Sequence, residues 1–152
     1  MLRTVEGAAI YATKAHDGQV DKSGVPYILH PLRVGAALHR FGVDAVIAGF
    51  LHDVVEDTVV TLDDLRANGA SESVLSAVES VTKTADDGSY QDQLDRALAD
   101  PIGAFVKAAD VMDNLSRING IPDELTQARL KRKYEEAVKY LIQWGAGVDL
   151  GS

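Results

Sequence analysis

Apolar residues recur at three- and four-residue spacing along nearly the whole chain, a periodicity that leaves little except packed helices for it to form. Residues 2–16 carry Leu2, Val5, Ala8, Ala9, Ala12 and Ala15 on one face, and the pattern ends at Asp17-Gly18. A polar loop from Gly18 to Pro26 follows. Pro31 suits the first turn of a helix with Leu32, Val34, Leu38 and Phe41 as its stripe, and Gly42 stops it. Asp44 is the expected cap of a third helix running through Ala45, Val46, Ala48, Leu51 and Val54, apolar almost all round and therefore central. Thr61 with Asp64 is a capping-box pattern for a short helix ending at Asn68-Gly69. Further helices are predicted over 72–82 and 91–99. Pro101 and Pro122 open the last two, the final one over 123–144 with Leu125, Leu130, Tyr134, Val138, Leu141 and Ile142 inward. The one β-branched cluster, Val59-Val60-Thr61, is too short to seed a sheet. The fold expected is all-α, a compact multi-helix bundle forming one domain over 1–152.

Composition narrows the chemistry. The chain has no cysteine, so disulfides, thiolate metal sites and cysteine nucleophiles are excluded. A net charge of −8 sets it against nucleic acid and anionic membranes, though a phosphate ligand held by an ion and local cations remains compatible. With no signal-peptide pattern and no apolar stretch near the ~20 residues needed to span a bilayer, the expected compartment is the cytoplasm.

The four histidines fall in the first 52 residues, and His52 opens the run His52-Asp53-Val54-Val55-Glu56-Asp57-Thr58 behind the most apolar helix. Burying such groups unpaired costs several kcal/mol each. A divalent cation compensates them economically, because imidazole and carboxylate are its ligands where thiolates are absent. On a continuous helix His52 and Glu56 are neighbours, and Asp53 stands beside Glu56 and Asp57. The same run also suits a solvated acidic helix end with a satisfied histidine. His30 precedes Pro31 at a loop-to-helix junction. Asp110 reads as an unpaired acid in the apolar segment Val106–Asp110, with Asn114 on its face.

His30, His52-Asp53 and Asp110, in this order, resemble the H…HD…D signature of the HD superfamily of metal-dependent phosphohydrolases. The surroundings are more specific: Ala15-His16-Asp17-Gly18-Gln19, Lys22-Ser23-Gly24, Pro26-Tyr27-Ile28, His30-Pro31-Leu32, the run from His52 to Thr58, Val81-Thr82-Lys83, and Lys107-Ala108-Ala109-Asp110 with Asn114-Leu115. Together they resemble the hydrolase domain of the RelA/SpoT alarmone enzymes and the stand-alone small alarmone hydrolases. The similarity covers about 4–117 and, more weakly, the last helix.

The resemblance implies one divalent ion, manganese, held by His30, His52, Asp53 and Asp110. It implies Glu56 and Asp57 as the catalytic acids and Lys22, Asn114 and Tyr134 as nucleotide contacts, with the basic run Arg129, Lys131, Arg132 and Lys133 near the phosphates. The implied reaction hydrolyses guanosine 3′,5′-bis(diphosphate) (ppGpp, or pppGpp) to GDP or GTP and pyrophosphate. Alternatives are a phosphohydrolase for another 3′-phosphorylated nucleotide and a non-catalytic nucleotide-binding module. Two positions depart from the pattern. Asp21 stands where an arginine usually packs on the guanine, and Val25 where many relatives have glutamate. An aspartate supplies no stacking guanidinium and repels phosphate. His16 is expected as a structural helix cap, His39 at the surface, and Trp144 as a core or oligomer contact.

Overall fold

The computed structural model describes residues 1–144 and is helical throughout, with no strand among them; the nearest approach to one is an isolated antiparallel bridge between Val20 and Pro26. The helices are α1 (Val5–Ala15), α2 (Leu29–Ala37), α3 (Val43–Leu51), α4 (Val54–Asp57), α5 (Leu62–Ala67), α6 (Glu72–Val81), α7 (Tyr90–Leu98), α8 (Gly103–Ser116) and α9 (Glu124–Gln143). Short 3-10 turns at His39–Phe41 and Ile118–Gly120 follow α2 and α8. The end of the expected domain, 145–152, lies outside the described residues. No helix among the described residues is long and apolar enough to cross a membrane.

Side-chain caps set most helix starts. Thr4, Ser71 and Asp123 each accept a backbone N–H of the first turn, and Thr61–Asp64 and Ser89–Asp92 close reciprocal capping boxes. Three boundaries differ from expectation. Gly42, not Asp44, is the cap residue of α3, because its φ of 103° is a conformation glycine adopts without strain. Asp44 instead accepts a hydrogen bond from Ser71. Pro101 precedes α8 in a turn, where Asp100 accepts from the N–H groups of Ile102 and Gly103. The apolar helix stops at Leu51: His52 and Asp53 form a turn before α4, so the acidic run is not one continuous helix.

Every residue of α3 from Ala45 to Leu51 is buried. Its Val46, Ile47, Phe50 and Leu51 pack with α1, α5 and α6, while Ala45 and Ala48 pack with α2, α6 and α8. A third cluster joins α7, α8 and α9 through Leu94, Val111, Ala137 and Leu141. In α9 only part of the expected stripe turns inward: Leu130 and Leu141 are buried, whereas Leu125 is 82% and Ile142 50% exposed. Trp144 is 63% exposed, so it is no core residue of this chain.

Helices α2 and α3 touch backbone to backbone. A Cβ on Gly49 would lie 2.6 Å from the Cα of Gly35, and one on Gly35 would strike the ring of Phe50. Gly49→Ala is therefore expected to lower unfolding free energy by about 1–3 kcal/mol, the range for overpacking, measured by urea denaturation. That contact places the side chains at the end of each helix within reach of each other.

Candidate metal centre and adjoining cleft

His30, in the first turn of α2, and His52, just past α3, come together with ring centroids 5.2 Å apart. Pro31 costs the helix nothing there, since first-turn N–H groups have no intrahelical acceptor. His52 is 2% exposed; its Nδ1 donates to the carbonyl of Gly49 at 2.7 Å, which leaves a lone pair on Nε2 in the neutral ring. Nε2 lies 3.0 Å from Asp53 Oδ2 and 3.4 Å from Asp110 Oδ1, yet has no hydrogen-bond partner. His30 Nε2 stands 2.8 Å from the same Asp110 oxygen and 3.7 Å from Asp53 Oδ2. His30, His52 and Asp53 thus offer ligand atoms within 4.8 Å of one another, with an Asp110 oxygen close to both imidazole nitrogens, an N/O donor set suited to a divalent ion. The orphaned Nε2 of His52 fits that ion and fits a satisfied core histidine poorly.

The carboxylates draw positive charge to this point. Burial disfavours charge on both imidazoles, but Asp110 and Asp113 beside His30, and Asp53 and Asp110 beside His52, outweigh it and raise both. Burial likewise opposes ionisation of Asp110, yet Lys107 and the imidazoles hold it well below the usual carboxylate range. Asp110 is not unpaired, as its place in an apolar segment suggests: Lys107, one turn earlier, reaches its Oδ2 at 3.3 Å. Asn114 donates to its Oδ1 at 3.2 Å, and Tyr27 donates its hydroxyl to Asp53 at 2.6 Å.

Ligand atoms of Asp53, Glu56 and Asp57 lie within 4.8 Å of one another, with Glu56 and Asp57 open to solvent. Burial first, then the neighbouring carboxylates, raise both acids above their ordinary values. Glu56 Oε1 accepts the backbone N–H of Lys83 at 2.7 Å. The loop carrying that N–H is pinned by Arg96, which donates to the carbonyls of Ser80 and Thr82 and pairs with Asp87.

Lys22, Asn114 and Tyr134 line a single cleft of about 450 Å³, together with Val20, Asp21, Ser23, Tyr27, Arg117, Ile121 and Leu130. The basic run divides. Arg129, Arg132 and Lys133 line a second cleft with Tyr90, and Lys133 Nζ sits 4.2 Å from the Tyr90 ring centroid. Lys131 lines neither cleft and lies beside Arg132 and Glu135 on the outer side of α9. His16 caps α1 as expected but is buried, bonded through Nδ1 to Gln19 and 5.2 Å from the ring of Tyr27. His39 is at the surface.

Sequence reasoning missed Asp113. Its Oδ2 accepts from His30 Nδ1 at 2.7 Å and from Arg117 Nε at 3.2 Å, and its Oδ1 accepts from Arg33 Nε at 2.8 Å. Burial opposes its ionisation, but His30 and Arg33 bring its pKa down to about 2. Such a carboxylate holds the ring with Nε2 turned toward the donor cluster. Its spacing, three residues beyond Asp110 and so on the same side of α8, was the available signal. Asp113→Asn is expected to weaken divalent-ion affinity ~10–100-fold while the helical content holds, measured by competition with a metal-sensitive dye and by circular dichroism.

The family model described as HD domain matches residues 8–100, which carry His30, His52, Asp53, Glu56 and Asp57. A GTP pyrophosphokinase of Myxococcus xanthus is 40% identical over 84 residues, 54% of this chain and 11% of that protein. A guanosine-3′,5′-bis(diphosphate) 3′-pyrophosphohydrolase of Spiroplasma citri is 35% identical over 146 residues, 88% of this chain and 19% of that protein. The chain spans about a tenth to a fifth of the length of these two relatives. The solved structure of a metazoan ortholog of SpoT that hydrolyzes ppGpp superposes with a TM-score of 0.79 at 23% identity, covering 96% of this chain and 88% of that one, which establishes a common fold. With paired histidines and an adjacent aspartate in the matched segment, and the matching model spanning more than half of its residues, this chain belongs to the HD domain family.

Proposed function

We propose that this chain hydrolyses the 3′-pyrophosphate of guanosine 3′,5′-bis(diphosphate), using one manganese ion held by His30, His52, Asp53 and Asp110. The observation that carries the reading is the partnerless Nε2 of His52, buried and opposed by two carboxylates. The name of the Spiroplasma relative supports the substrate class.

When bound, such an ion acidifies water and acts as a Lewis acid toward a phosphoryl oxygen. The protein's own part is positioning and proton transfer. Glu56, aimed by the Lys83 N–H, takes the proton of the attacking water; its raised pKa brings it nearer neutrality, where a general base works best. The water oxygen bonds to the phosphorus nearest the ribose, the bond to the 3′ oxygen breaks, and that oxygen gains a proton. The products are GDP and pyrophosphate. Asp57 beside Glu56 assists the proton's passage. Lys22, Asn114 and Tyr134 hold the nucleotide in the cleft they line.

The test is the purified chain with manganese and a panel of 3′-phosphorylated nucleotides, with pyrophosphate and orthophosphate measured separately. Pyrophosphate released from guanosine 3′,5′-bis(diphosphate) supports the proposal. Release only from another nucleotide, or none from any, overturns it in favour of a different HD-type phosphohydrolase or a binding module.

A further inference from the structure

Arg117 closes α8 at the cleft, and no motif drew attention to it. It is held on two sides. Its Nη1 donates to Asp21 Oδ2 at 2.7 Å and its Nε to Asp113 Oδ2 at 3.2 Å. Both acceptors are themselves fixed. Asp21 Oδ1 accepts the backbone N–H groups of Ser23 and Val25 at 2.8 and 3.0 Å, and Asp113 is bound by His30 and Arg33. Asp21 is therefore not a bare charge facing phosphate: burial opposes its ionisation, but the loop N–H groups and Arg117 keep it below the ordinary range.

A guanidinium carries five N–H donors, and the two bonds use one on Nε and one on Nη1. The remaining donors are on Nη1 and Nη2, in a side chain that lines the cleft and is 29% exposed. Around it the cleft is lined by Tyr27 and Tyr134 and by Val20, Ile121 and Leu130, an aromatic and apolar lining suited to a planar ring. Arg117 is also linked to His30 through Asp113, which accepts from both, so the cleft and the donor cluster share one carboxylate.

We propose that Arg117 is the specificity-determining residue of the cleft, reading a guanine by its free N–H edge, with Asp21 and Asp113 as its holders. Guanine presents two acceptors, O6 and N7, to such a donor edge, whereas adenine presents one acceptor and a competing N–H donor. This inference rests on the cleft being a nucleotide site, as argued above. It also accounts for Asp21, which anchors from one wall a guanidinium supplied by the other.

The experiment is calorimetric titration of GDP and of ADP into the manganese-treated protein, for wild type, Arg117→Ala and Arg117→Lys. Wild type is expected to prefer GDP at least ~10-fold, within the range of one bidentate arginine–guanine pair. Arg117→Ala is expected to lose that preference by weakening GDP alone, with manganese content unchanged by elemental analysis. Arg117→Lys keeps a charge beside Asp21 but lacks the planar fork, and is expected to lose the preference too; it supplies the comparison if the alanine variant does not fold. An unchanged GDP/ADP ratio in these variants overturns the inference, as does a wild type without preference. Equal weakening of both nucleotides together with loss of manganese also overturns it, since Arg117 would then act only by propping Asp113. Turnover of guanosine 3′,5′-bis(diphosphate) with an Arg117-independent ratio defeats this inference alone. An Arg117-dependent preference without pyrophosphate release defeats the proposed reaction alone.

Discussion

His52→Ala yields protein that retains no stoichiometric manganese after dialysis and releases no pyrophosphate. The imidazole is 2% exposed, and its Nε2 lies 3.0 Å from Asp53 and 3.4 Å from Asp110. Removing it takes away one donor and one of the groups that offset the charge of Asp53 and Asp110, leaving His30, Lys107 and Tyr27. Breaking a buried charge cluster in this way costs about 3–5 kcal/mol, so the variant is also expected to melt earlier. Elemental analysis of the dialysed protein reads the first effect and a thermal melt the second. Manganese retained at one equivalent per chain would show that the ion sits elsewhere.

Glu56→Gln separates chemistry from metal binding. Glutamine keeps an oxygen for the Lys83 N–H and the same shape, so the loop and the donor cluster are expected to stay as they are. It cannot accept a proton. Turnover is expected to fall ~100-fold or more, in the range for loss of a general base, with manganese content unchanged. The pH profile supplies an independent reading. Because the pKa of Glu56 is raised, by burial first and then by Asp53 and Asp57, its proton-accepting form is lost as pH falls through that raised value. The acid limb of wild-type turnover therefore lies above the ordinary glutamate range, and in Glu56→Gln that limb disappears. Unchanged kinetics would remove Glu56 from the mechanism.

Local signals in the chain carried much of this. The Thr61–Asp64 box, the all-apolar run of α3 and the turn at Gly42 are short-range features, settled by residues within one helical turn of each other. His30, His52, Asp53 and Asp110 were legible through their resemblance to the H…HD…D signature, and the fold brings their side chains close together. Partners supplied across the fold were not legible. Asp113 serves His30 from 83 positions away and Arg117 meets Asp21 across 96. The support for Glu56 is a backbone N–H, which any residue except proline at position 83 would provide. The turn at His52-Asp53 escaped notice because helix propensity there is ordinary. The half-exposed stripe of α9 shows the converse, since periodicity marks an apolar face without saying how much of it a neighbour covers.

The main-chain contact between Gly35 and Gly49 bears on how firmly the two histidines are spaced. Helices that approach this closely, with only Phe50 and Leu38 packed against the two glycines, leave little to repack between the two imidazole carriers. The segment 18–26, the connection after α6 and the long last helix border the ligand space from outside that seam. Substitutions along those borders are expected to change which ligand fits while leaving the separation of the His30 and His52 rings as it is.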